Sequence, residues 1–183
     1  MIERSTRIAW CARMSLLLLW VTSETAVTYS AAKAEDKATA AQNPATTTEA
    51  RARARLLHET IHGVLQVVHR DFFREDESLG IPSRSLEDVF SELERSHHVK
   101  LRWLAVNAKA MNVDHQPQNE FEREAVKVLR AGKTEYESFT PESFRFVGSI
   151  HLSAQCLKCN LPLRTNNEAR AAGLVITMPL KAK

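Results

Sequence analysis

The sequence predicts an α+β fold in which an antiparallel sheet carries helices packed on it. Two observations predict it. Stretches with apolar residues every three or four positions come mostly early, and alternating or β-branched runs gather late. Helices grouped before strands favour an antiparallel sheet over repeated strand–helix units. The 183 residues allow one domain and hardly two.

The N-terminus has the order of a secretion signal. Arg4, Arg7 and Arg13 precede a short apolar run, Met14 to Val21. Ala32-Lys33-Ala34 fits a small-residue cleavage site, with Ser30-Ala31-Ala32 as an alternative. The run is shorter than the ~20 apolar residues of a spanning helix. Residues 1–34 are therefore read as a signal peptide, and the mature protein is expected to be periplasmic or secreted, with no stable membrane span. Residues 35–48, rich in Ala and Thr without large apolar side chains, read as a flexible linker. Residues 49–183 are the domain.

A long helix is expected from Glu49, capped by Thr48, with Leu57, Ile61, Val64, Val68 and Phe72 as its apolar stripe. Gly80-Ile81-Pro82 should end it. Ser85 opens a second helix with Leu86, Val89, Phe90 and Leu93 on one side. Val99 to Val106 reads as a strand entering the core. A third helix begins at Asn119 and stops at Gly132, and its Glu120, Glu122 and Glu124 read as a solvated face. Strands are expected over Glu135–Phe139 and Phe144–Leu152, and a last one over Gly173–Met178, ended by Pro179. Trp103, Phe144 and Phe146 are expected in the core.

Charge narrows the function. Lys and Arg exceed Asp and Glu by 25 − 22 = 3. Residues 1–34 carry four cations and two anions, so the remainder has a net charge of 3 − 2 = +1. Without a basic field, nucleic acid is not an expected partner. No Gly-rich phosphate loop and no nucleophile elbow is present in the sequence.

The chemically distinctive segment is Cys156-Leu157-Lys158-Cys159-Asn160, one residue from the haem-attachment motif C-x-x-C-H. Two thiols three apart can each bond one vinyl group of a haem, and the following His supplies an axial nitrogen to the iron. Removal of the signal would take Cys11 with it and leave only this pair. In an oxidising compartment such a pair closes as a disulfide unless a ligand occupies it.

Further stretches accompany the motif: Leu101-Arg102-Trp103, the polar run Asn112 to Glu122, Phe144-Arg145-Phe146-Val147-Gly148, and Ala172 to Pro179. With them the chain resembles a bacterial family of exported, PAS-like c-type-haem domains of the Tll type, over most of its mature length. The resemblance implies a PAS-like antiparallel sheet with the N-terminal helices packed on it, haem c as cofactor, and Cys156 and Cys159 as haem-linking thiols. Asn160 stands where the family has its axial His. Three outcomes stay open: haem lost and the cysteines oxidised to a disulfide, haem kept with another ligand such as His151 or a histidine of the long helix, or a different metal or a thiol switch.

His58-Glu59-Thr60-Ile61-His62 matches the zinc-hydrolase signature H-E-x-x-H, with His58 and His62 as metal ligands and Glu59 as general base. This is the alternative reading, and the sequence shows no recognisable third ligand. His69 falls within about 40° of both histidines on a helical wheel, bordering the apolar stripe. The expected function is a non-enzymatic sensor or binding domain whose output passes to a signalling or redox partner protein.

Overall fold

The computed structural model describes residues 43–72, 80–107, 112–152, 156–157 and 170–182, within the unit Asn43–Lys183. The expected signal peptide with Cys11, the linker up to residue 42, Cys159 and Asn160 lie outside the described residues. Among the described residues, three helices and four strands build the domain.

Helix α1 runs over Thr47–Asp71, α2 over Pro82–His97 and α3 over Glu120–Arg130; the strands are β1 (Lys100–Ala105), β2 (Glu135–Phe139), β3 (Ser143–Leu152) and β4 (Arg170–Pro179). The strands pair antiparallel in the order β1-β4-β3-β2. β4 and β3 share the longest ladder, from Ser143 opposite Pro179 to Leu152 opposite Arg170.

Helix ends follow local chemistry. α1 starts two residues before the expected place, because the Thr46 hydroxyl accepts the Glu49 amide at 3.1 Å. The last linker residues belong to the fold as well: the Pro44 carbonyl accepts the Lys181 amide at 2.9 Å. α2 begins at Pro82, not Ser85. Proline has no amide hydrogen to lose in a first turn, so it opens this helix where it was expected only to end the preceding one. His98 closes α2 in the left-handed conformation, at φ 54°. The third helix, expected from Asn119, begins at Glu120, and Asn119 caps it, its side chain accepting the Glu122 amide at 3.0 Å.

Strand alternation sorts side chains onto two faces. One face presents Leu101, Trp103, Phe144, Phe146, Ile150, Leu174, Ile176 and Met178 to α1 and α2. The other presents Leu104, Val106, Val147 and Val175 to α3. The N-terminal helices therefore pack on the sheet as expected, and α3 covers the opposite side. Gly173 lets α3 approach β4: a side chain there would press on Val147, Leu104 and Leu129. Trp103, Phe144 and Phe146 are buried, and the Trp103 indole donates to the Ser83 carbonyl at 2.9 Å, tying β1 to α2.

The acidic face read on α3 needs correction. Glu120 and Glu124 face solvent or nearly so, but Glu122 is only 3% exposed and pairs with Arg102 of β1. The polar side of β1 supplies a cation that draws it inward.

Candidate functional site

The buried line of α1 is Ala50, Ala54, His58, Ile61, Leu65 and His69. The expected stripe is thus rotated. Ile61 is buried, but Val64 is 42% and Phe72 is 67% exposed. Small Ala50 and Ala54 let the first turns lie close on the sheet. Arg51 and Arg55 reach Glu137 and Glu135 on β2, which fixes the rotation of the helix about its axis. Two histidines then fall on the inner side, each 7% exposed.

His58 meets β3 at Gly148. A methyl group at Gly148 would overlap the His58 ring at Cδ2, Nε2 and Cγ, so the glycine is the notch in which the imidazole lies. Phe146 presents a T-shaped contact, with ring centroids 6.0 Å apart. The Nε2 atom is buried without a hydrogen-bond partner. Burial pushes the imidazole below its ordinary pKa, and charge on His62 acts in the same direction. Glu59 and the Ser149 backbone pull the other way without reversing it. Burial likewise pushes His69 down. Both rings are held neutral near pH 7.

The H-E-x-x-H residues are brought together only in part. The His58 and His62 rings lie 5.8 Å apart, centroid to centroid. Glu59 turns to solvent, with a side chain 78% exposed and 3.8 Å from His58 Nδ1. Among the described residues no group of three His, Cys, Asp or Glu side chains could hold a metal ion. His62 instead contacts Gln66 at 3.3 Å, and the Gln66 amide donates to the His151 carbonyl at 3.4 Å.

His151 lies near the end of β3, and the alternation that turns Gly148 and Ile150 toward α1 turns its side chain away. It is exposed. Cys156 and Leu157 are buried beyond the end of β3. Cys159 and Asn160, the other two residues of the expected haem site, lie outside the described residues.

Sequence reasoning sets His58 and His69 at the border of the core because hydropathy treats histidine as polar. The signal is present in the spacing: Ala, Ala, His, Ile, Leu and His recur at four, four, three, four and four positions without a carboxylate, Lys or Arg among them. A separate apolar groove of about 390 Å³ lies between the end of α1 and the start of α2, lined by Val68, Phe72, Pro82, Leu86 and Val89 among others.

The sequence model of the Tll0287-like family matches residues 34–162. The crystal structure of the cyanobacterial heme-protein Tll0287 is similar in fold, with a TM-score of 0.54 and 12% sequence identity. The likeness covers 74% of this chain and 98% of that one. No curated protein matches the sequence.

Proposed function

The chain belongs to the Tll0287-like family, and on that premise we propose that it is a non-enzymatic, exported sensor or binding domain whose haem centre has decayed to a disulfide between Cys156 and Cys159. The observation that carries this reading is Asn160, an amide in the place where the C-x-x-C-H motif supplies iron with an imidazole, and an amide is a poor ligand for haem iron.

Without a porphyrin the two thiols are left to each other. Oxidation by the thiol oxidants of an exporting cell's outer compartment removes two electrons and two protons and forms the S–S bond. Export itself rests on the arginines, apolar run and small residues of segment 1–34. The output of such a domain passes to a signalling or redox partner.

The test is a haem stain and a visible spectrum of protein made in a host that matures c-type cytochromes, with a thiol count on the unfolded protein. The expected result is no Soret band, no stain, and no titratable thiol until reductant is added. Covalent haem in the natural sequence would sink the reading.

A further inference from the structure

We propose that the outward face of α1 is an interface between two copies of this chain, packed antiparallel about Gly63. The inference goes beyond the decayed-haem reading and stands on the surface of α1 alone.

α1 turns one side to the sheet and leaves the other open. On the open side Leu56, Thr60, Gly63 and Val67 recur at four, three and four positions, the spacing of a seam between two helices. Leu56 is 70% exposed and Val67 is 42% exposed, with Val64 beside them. The Thr60 hydroxyl donates to the Leu56 carbonyl at 2.8 Å. Its polar atom is used within the helix, and its methyl group is left for an apolar neighbour.

Gly63 has no use inside this domain. A side chain there would meet nothing within 4 Å, and its φ is not positive. Glycine in a helix interior costs about 1 kcal/mol against alanine. A second helix gives it a purpose, because a bare backbone lets the axes come to about 8 Å, the near end of the range for packed helices.

Charge selects the occupant and its direction. The seam is flanked at one end by the ion pair of Glu49 and Arg53 and at the other by that of Arg70 and Asp71, both solvated. In an antiparallel pair with a two-fold axis at Gly63, Leu56 lies opposite Val67 of the second copy and Thr60 opposite its Gly63. Arg53 then comes to Asp71 of the second copy, and Glu49 to its Arg70. A two-fold interface needs a self-complementary patch, and this one complements itself in both apolar residues and charge. Turned parallel, the same face would set Arg53 against Arg53 and Asp71 against Asp71, and like charges disfavour that arrangement.

The test is sedimentation equilibrium of the full chain under reducing conditions from about 10 μM to 1 mM, with NOEs between copies in a sample mixed from two isotope labellings. A reversible dimer is expected, with contacts from Leu56 of one copy to Val67 of the other. Leu56→Glu, at an exposed position, should leave the fold intact and raise the dimer dissociation constant by about tenfold or more, since each substitution enters the interface twice. Arg53→Glu and Asp71→Arg should each weaken association, and the two together should restore it, because opposite signs then meet again across the axis. Should a variant fail to fold, the contacts between copies in the natural protein decide. A monomer over the whole range, a dimer joined elsewhere or with Leu56 on Leu56, segment 1–42 in place of the second copy, or a charge swap without recovery overturns the interface.

Discussion

Arg102 of β1 and Glu122 of α3 form an ion pair across the α3 side of the sheet, with the carboxylate almost wholly enclosed. The Gln118 amide also donates to that carboxylate at 2.7 Å, and Arg102 donates to the carbonyls of Asp114 and Gln116. One arginine thus ties β1, the turn Val113–His115 and the first turn of α3 together. Glu122→Ala leaves Arg102 a quarter exposed and still donating to two carbonyls, while the Gln118 amide loses its acceptor. A cost of about 2 kcal/mol is expected from the lost charged hydrogen bonds, read as a lower urea midpoint. A change below about 0.5 kcal/mol would mean that water reaches the pair.

Gly148→Ala should be destabilising by about 1–3 kcal/mol, because the new methyl overlaps the His58 ring. The cost should shrink when His58→Ala is added, since the two changes share one contact. A double-mutant cycle checks this. Additive effects would show that the ring already has another place to go.

Thr46→Ala removes the acceptor for the Glu49 amide. A loss of about 1 kcal/mol is expected, because the first turn keeps an orphan donor. Thermal unfolding of the purified variant measures it.

Glu135 contributes to an acid limb of stability. The hydrogen bond from Arg55 comes first among the causes that lower its pKa, and burial opposes it. A folded pKa below the unfolded one means stability that is complete above the unfolded value, about 4.3 for Glu. It is lost as pH falls through the folded value. Glu135→Gln should flatten urea midpoints measured below about pH 4.5. The pair is partly solvated, so the effect should weaken in about 1 M salt.

Asn160→His restores the residue that haem attachment reads in C-x-x-C-H. Covalent haem is expected in the variant and none in the parent, by stain on a denaturing gel. An unstained variant would show that the change at Asn160 is not the sole loss.

Much of this fold is legible in the sequence where a residue has one local role. Asn119 can cap only the helix that follows it, and the alternation over Glu135–Phe139 and Phe144–Leu152 fits one sheet register. Legibility fails where a distant partner decides. Glu122 shares its helix with Glu120 and Glu124, and its ion-pair partner Arg102 lies twenty residues back. The turn of α1 is set by Arg51 and Arg55 reaching β2, so the histidines and not Val64 and Phe72 enter the interior. The cysteine motif is legible as chemistry, and Cys156 is indeed enclosed. What it faces depends on loop geometry that no spacing rule encodes.

The hydrogen bond from Lys181 to Pro44 leaves the two ends of the domain side by side. A unit whose entrance and exit coincide can be spliced into a surface loop of a host protein without prying the host's own elements apart. The same closeness means that a short bridge could join residues 43 and 182, and new termini could be cut at an exposed turn elsewhere, with the sheet left whole.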